Sequence, residues 1–451
     1  AMGSFRWNHL VNDKLFLNVN TTYSDYDFSF EGRQEGFAFG FDSGIEDWNL
    51  KWQLSYYPSS RHKIKTGVDY VYHQFLPLSY YMIIDGDQTQ LGTEGVSDET
   101  HSHESGFYFE DEFDLTEKIK LYGGLRYSDF RHVGPFTRHF NDGSDSIRTY
   151  NKGELVKKYG GWEPRVSARI ITGPQSSVKL GLNENYQYVH LASLTGSVMP
   201  TDVWIPSSDV VRPQWGRQYS AGYFADLGEN KNYELSIEGY YKQLDNLVEY
   251  AQNTLPTDNL ESNTDNNLVF GDGWSYGAEF FLKKRRGVLN GWVGYTWSKT
   301  EREFPDLNNG NPFPATYDRR HDLSVVLDYK LNEKWRFGFV HVFATGNTTT
   351  LPIQRYILEG QIVDLFDERN SFRMPPYHRV DLSATLTPQR KKDKKVNGHW
   401  VFSIYNVYNR ANPYFIFFAS EGELTEGDLE ITAQQVSLFP ILPSFTWNFK
   451  F

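Results

Sequence analysis

The chain has 451 residues, a formal net charge of -12 and no cysteine, which excludes a disulfide scaffold, cysteine-ligated zinc, iron–sulfur clusters and thiol catalysis and argues against a nucleic-acid partner. Its 33 Phe, 30 Tyr and 12 Trp coexist with a mean hydropathy of -0.58. That is more aromatic surface than the core of so polar a soluble protein needs, and it suits a β-rich chain with two differently solvated faces. No run of about 18 apolar residues occurs, so no transmembrane helix is expected.

In chain order, AMGS at residues 1–4 reads as a cloning scar, and one domain is expected from residue 5 to 451. Phe5–Val11 is a partial strand. In KIKLYGGLRYSDF, Ile119, Leu121, Leu125 and Tyr127 share one face, and Lys120, Tyr122, Arg126 and Ser128 take the other. SVKLGLNENYQY sets Val178, Leu180, Leu182, Tyr186 and Tyr188 against Lys179, Asn183, Asn185 and Gln187. NYELSIEGYYK sets Leu235 and Ile237 against Glu234 and Glu238. RHDLSVVLDYKL and YHRVDLSATLTP repeat the alternation with Leu323, Val325, Leu327 and then Val380, Leu382 and Leu386. The chain ends SFTWNFKF, where Phe445, Trp447, Phe449 and Phe451 make one face wholly aromatic and Ser444, Thr446, Asn448 and Lys450 make the other polar.

The connections alternate in kind. PSSR (58–61), LTEK (115–118), GPQS (173–176), GENKN (228–232), KRRG (284–287) and LNEK (331–334) are short turns. Long polar loops lie between them, at 77–103, 131–160, 190–212, 251–272, 302–318, 346–375 and 419–440. Short connections on one side and long ones on the other are the pattern of an all-β, antiparallel transmembrane barrel with periplasmic turns and extracellular loops. Counting hairpins back from the C-terminus gives about 16–17 strands. Only closure of such a sheet satisfies every strand's backbone in lipid. The aromatic face of the last segment is therefore expected to meet the membrane, with its rings at the interface.

FRWNH (5–9), WEPR (162–165), PQWGRQY (213–219), WSYGAE (274–279), YDRRHDLS (317–324), YNVYNRANP (405–413) and the terminal Pro443–Phe451 resemble, in order and spacing, the barrel of TonB-dependent outer-membrane transporters, particularly the Bacteroidota type. The resemblance implies a bacterial outer-membrane location, contact with outer-membrane lipid and lipopolysaccharide, no cofactor and no nucleic acid. It also implies a family barrel of about 22 strands enclosing an N-terminal plug. The plug and roughly the first five strands have no counterpart in this chain, so TonB would be reached only through that plug. A surface lipoprotein is a further candidate partner. In the family a terminal aromatic forms part of the signal for outer-membrane assembly, a role that falls here on Phe451.

Several groups invite a chemical role. His101 and His103, at i and i+2, share a strand face and could hold a transition metal, but no third ligand is evident and a solvated external loop is preferred. Arg320–His321–Asp322 and His378, Arg379 and Asp381 form an internal echo, read as strand starts with alternating paired charges. KKRRG (283–287) and RKKDKK (390–395) fall on the short-turn side and are read as solvated turns. Tyr80, Tyr81, Trp204, Trp215 and Tyr356 are loop aromatics able to stack on a sugar or chelate, or to pack loops together.

The expected function is import of a scarce solute: an iron chelate, cobalamin, a glycan or a peptide. The alternatives are a free-standing porin of about 16 strands and an outer-membrane barrel hydrolase, for which no nucleophile–base pair is visible. The chain by itself is expected to form an unplugged pore whose ends join into a smaller barrel.

Overall fold

A computed structural model of the chain describes all residues except 35–36, 85–86, 92–98, 141–145, 193–202, 252–262, 359–360, 367, 389–396, 423–429 and 451. Among the described residues the main sheet is 19-stranded and antiparallel. Seventeen of its strands make a continuous wall, numbered here β1 to β17. They are β1 Met2–Asn12, β2 Leu15–Gln34, β3 Phe37–Ser59, β4 His62–Ile84, β5 Thr100–Asp114, β6 Ile119–Val133, β7 Leu155–Gly173, β8 Ser176–Gln187 and β9 Gln214–Leu227. Then follow β10 Tyr233–Tyr250, β11 Leu268–Lys284, β12 Leu289–Glu303, β13 His321–Lys330, β14 Trp335–Ala344, β15 Tyr377–Leu386, β16 Asn397–Tyr405 and β17 Leu442–Lys450. Each pairs with the next. Asp87–Leu91 and Phe313–Pro314 extend this sheet at its loop end.

The expected alternation is present. Directly opposed residues share a face, so Leu125, Phe109 and Pro164 look out, and Arg126, Tyr108 and Glu163 look in. The outward band is apolar and exposed: Trp52, Phe109, Leu125, Val166, Leu180, Ile237, Phe280 and Leu382 are all at least 40% accessible. A soluble sheet would cover such a band, whereas lipid solvates it. Outward ring pairs mark its upper edge, with Tyr23–Trp48 at 4.6 Å and Tyr127–Trp162 at 4.9 Å between centroids. At the C-terminus Phe445, Trp447 and Phe449 are 58%, 48% and 53% exposed; Phe445 and Trp447 stack on Trp400, and Phe449 on Trp447, in one outward array.

The strands run further into the loop side than the sequence suggests. β2, β3 and β4 have 20, 23 and 23 residues, where about 9–11 cross a bilayer. Above the ring pairs their faces exchange polarity. On β6 the outward residues become Asp129 and Arg131, and the inward ones become Phe130 and His132, both buried. On β2 the outward residues become Asp25 and Asp27, and Phe28 turns in to a hydrophobic cluster. Period-2 alternation continues through this exchange, so sequence periodicity alone does not reveal it.

Two expectations are corrected here. Residues 100–103, assigned to a loop, are the start of β5. Tyr188, placed with Leu180 on the outward face, lies past the end of the β8 ladder and stacks on inward Phe130 at 5.0 Å. As for residues 2–4, they pair in register with Ser24, Tyr23 and Thr22. No β1–β17 pairing is among the described ones. Both strands run from the loop side to the turn side, so a direct join would be parallel, unlike every other pair in the wall.

Candidate functional site

The inner wall of β3 to β7 carries a dense polar network. Arg126 binds Asp69 and lies 3.7 Å from both Glu104 and Glu163. Gly106 makes room for this, because a Cβ there would overlap the Arg126 guanidinium and the Asp69 carboxylate. His73 bonds Asp47 through Nδ1 at 2.7 Å. Lys65 donates to Glu110 at 3.0 Å, and Tyr122 donates to the other oxygen of Glu110 at 2.7 Å. Lys120 bridges Glu112 and Asp114. Lys65, Asp69, Glu110, Tyr122, Arg126 and Glu163 border an open hollow of about 260 Å³ that also takes in Lys51 and Arg165. Acids and bases are mixed, so the wall offers hydrogen bonds of both kinds without a single-sign field.

Above this wall the loop segments are tied together by buried ion pairs. Arg138 comes from the hairpin Phe136–His139/Ile147–Tyr150 and is 1% exposed. Its guanidinium grips Asp265 with bonds of 2.6 and 2.9 Å and also binds Asp209. Ser208 donates to the same Asp265 carboxylate at 2.7 Å, and Asn263 accepts from the His139 N–H at 2.8 Å. Burial pushes the Asp265 carboxyl up, but Arg138 and Ser208 outweigh it and hold it below the ordinary range. Beside this hub, Ala192, Val203, Ile205, Val211, Tyr250 and Leu268 form a hydrophobic cluster. His190, on the hairpin Val189–Ala192/Val203–Pro206, is 1% exposed with Nε2 2.9 Å from Ser207 Oγ, and burial lowers its pKa to about 4.

Two further hubs serve the later loops. Glu249, at the top of β10, is 5% exposed and binds both Arg302 and Arg369, the latter at 3.0 Å. Asp318 is 1% exposed, accepts from Arg373 at 2.6 Å and from the Thr300 N–H at 2.8 Å, and lies 3.8 Å from Arg320. Leu247, Phe304, Leu307 and Phe313 pack between them. Described segments of the loops after β6, β8, β10, β12 and β14 are therefore tied by ion pairs into a cap at the loop end of a polar lumen.

The sequence candidates fare differently. His101 and His103 lie on an ordered strand, not in a solvated loop. They face outward, half-buried, and their Nδ1 atoms meet Tyr72 Oη at 2.9 Å and Tyr70 Oη at 2.7 Å. Among the described residues no group of three metal-ligating side chains assembles around them. Arg379 bonds Asp381 at 3.0 Å and Tyr405 at 2.7 Å, while Tyr295 Oη lies 2.8 Å from His321 Nδ1, so both charged echoes tie neighbouring strands. The five loop aromatics do not form one cluster. Tyr81 is buried on β4, and Trp204 lies half-buried beside a 50 Å³ cavity that His132 also lines. Trp215 carries the Arg217 guanidinium 4.8 Å above its ring. Tyr356 is exposed on the hairpin Pro352–Leu358/Gln361–Phe366, and the side chain of Tyr80 is outside the described residues, as are Phe451 and the 390–395 run. Arg138, Asp209, Asp265, Glu249 and Asp318 were not singled out in the sequence, because their partners lie up to 127 residues away.

An outward apolar band, aromatic ring pairs, short turns and a loop cap over a polar lumen define an outer-membrane β-barrel. The chain belongs to the TonB dependent receptor-like β-barrel family, whose sequence profile matches residues 1–409. The ferric yersiniabactin uptake receptor FyuA from Yersinia pestis is similar in structure, with a TM-score of 0.66, 12% identity and coverage of 100% of this chain and 61% of that one. The ferric citrate transporter FecA in its unliganded form gives 0.62, 12%, 99% and 60%. The copper transporter OprC gives 0.63, 10%, 99% and 64%. At these identities the likeness is one of fold, and the chain spans about three-fifths of the length of the structures it matches. No curated protein matches it in sequence.

Proposed function

We propose that this barrel is the membrane-spanning part of an importer that takes a scarce, bulky solute across the outer membrane. The observation that carries this reading is the cap: loops from across the chain are fixed over a polar lumen by buried ion pairs at Arg138, Glu249 and Asp318. A passive channel has no need of so ordered a mouth, whereas a receptor needs a pre-organised surface for capture. Exposed Tyr356 and half-buried Trp215 offer stacking faces on the loop side. A plug domain would gate the lumen, TonB would supply energy through that plug, and a surface lipoprotein would be a further partner. No covalent step is needed. The solved relatives named above handle ferric chelates and copper, so a metal chelate is the first probe to try, ahead of cobalamin, glycans and peptides.

The test is uptake by cells carrying the complete gene, with and without functional TonB. The reading predicts accumulation of the solute, recovered chemically intact by mass spectrometry, only when TonB works. TonB-independent entry, with a steady ohmic conductance from the reconstituted protein, would instead make it a porin. Recovery of cleaved solute would make it a hydrolase. Phe451 is proposed as part of the assembly signal, so its deletion should lower outer-membrane yield in cells, and an unchanged yield would remove that role.

A further inference from the structure

The outward face is not flush everywhere. Between β12 and β17 it holds an open hollow of about 900 Å³, walled by Leu289, Leu327, Phe337, Leu382, Phe402 and Phe445. These side chains are exposed, except Leu327, which is half-buried, and belong to the same face as the lipid-facing band further round the wall. A recess in a surface bathed by hydrocarbon is filled by hydrocarbon, because water there would meet a mostly apolar lining with few polar partners.

The hollow runs from the turn side at β12–β14 to Ile404 and Pro443, near the loop ends of β16 and β17. Leu289 is the first residue of β12, two positions after Gly287, while Tyr329 and Phe337 bracket the turn 331–334 and also line it. These two turns carry more uncompensated positive charge than the earlier ones. Residues 283–287 hold Lys283, Lys284, Arg285 and Arg286 with no acid, and residues 330–336 hold Lys330, Lys334 and Arg336 against Glu333 alone. By contrast, Asp13 and Lys14 cancel, as do Glu117 with Lys118 and Glu229 with Lys231, 173–176 is uncharged, and 58–61 holds the single cation Arg61. Arg285 is engaged with Asp226 at 2.8 Å and Glu234 at 3.1 Å, and Lys330 with Glu333 at 2.6 Å. The Arg286 and Lys334 side chains are exposed and enter no ion pair among the described residues. The basic run between β15 and β16 lies outside the described residues.

An apolar recess facing hydrocarbon, with unpaired cations at its aqueous rim, matches one kind of molecule: a lipid whose headgroup is negative. We propose that the hollow between β12 and β17 and the adjacent turns bind one anionic phospholipid of the periplasmic leaflet, with its acyl chains against Phe337, Leu382 and Phe402 and its phosphate at Arg286 and Lys334. Neither a second copy of this chain nor a nucleic acid fits as well. The net charge of -12 opposes both, and the recess opens to the membrane interior rather than to water. The site is distinct from the loop cap, and its charged rim lies at the opposite end of the barrel.

Purified protein in a mild detergent, exposed to dioleoylphosphatidylglycerol or dioleoylphosphatidylcholine and read by native mass spectrometry, tests this. The anionic lipid should be retained about tenfold or more over the neutral one. R286Q/K334Q should bring that ratio close to one without lowering retention of the neutral lipid. Ala384 also lines the hollow, and A384F should reduce retention of both. Glycerol phosphate, which carries the headgroup charge without the chains, should not displace the lipid. Equal retention of the two lipids, a preference that survives R286Q/K334Q, displacement by glycerol phosphate, or lipopolysaccharide or a second chain in the lipid's place would each overturn the proposal. If A384F fails to insert, R286Q/K334Q carries the test, because its two positions lie in exposed turns.

Discussion

Below the aromatic ring pairs and above them, the same strands solve opposite problems. Below, β6 turns Leu121 and Leu125 outward and Lys120 and Arg126 inward. A few residues higher it turns Asp129 and Arg131 outward and buries Phe130 and His132. Alternation is unbroken, and only the solvent on each side has changed. In the membrane the lumen is the wet side. Above it the outside is wet and the inside has become the core of the loop cap. The height of the exchange locates the upper membrane surface on the protein, and it divides stability into two parts: a wall held by ladder hydrogen bonds and lipid, and a cap held by buried ion pairs and small hydrophobic clusters.

The division can be broken most severely at Arg138. Arg138→Ala leaves Asp265 and Asp209 without their cation in a buried site, at a cost of about 3–5 kcal/mol. The loss should be confined to the cap. Amide exchange around residues 203–211 and 263–268 should rise sharply, while the heat-modifiable migration that reports an intact wall stays unchanged. Collapse of both together would mean that cap and wall are one cooperative unit.

The wall is probed by a charge on its lipid face. Leu180→Arg near the midplane should cost about 2–4 kcal/mol in bilayer refolding. Asn183→Arg, three residues on and facing the lumen, should change stability by no more than about 0.5 kcal/mol. Equal costs would mean that both faces see the same solvent.

A smaller effect comes from pH and should again touch the cap alone. His190 has its pKa lowered to about 4 by burial, against an ordinary value near 6.5. The unfolded cap therefore binds the proton more readily. The stability that His190 contributes is fully present above about pH 6.5 and is lost as the pH falls from there towards 4. Loop exchange should quicken over that window, and His190→Gln should flatten the response. A response of the same size in the variant would place the titrating group elsewhere.

Much of the wall was legible in the sequence because a strand writes its two environments at every second residue and its turns are short. Phe445, Trp447 and Phe449 are exposed on one face as their alternation implies, and KIKLYGGLRYSDF carries its faces correctly as far as Tyr127. Beyond the ring pairs the same alternation persists with its meaning reversed, so it points Tyr188 outward, whereas the ring packs inside on Phe130. The cap was not legible. Arg138, in FTRH, looks like any surface arginine until Asp265, 127 residues later, is folded against it. His101 and His103 drew notice through spacing, yet each spends its Nδ1 on a tyrosine of the neighbouring strand. Local pattern reports solvent, whereas ion-pair hubs depend on loops that meet only after the wall has formed.

The change of solvent along one strand can be read directly, because the chain has no cysteine and accepts single labels without background. Spin labels placed singly at Leu121, Leu125, Asp129, Arg131, Arg126 and Phe130 of β6, in protein reconstituted into bilayers, should be compared for collision with oxygen, which concentrates in lipid, and with a water-soluble nickel complex. Positions 121 and 125 should favour oxygen, 129, 131 and 126 the nickel complex, and 130 neither. Oxygen preference at 129 and 131, or nickel access at 125, would contradict the account by placing the membrane elsewhere on the barrel.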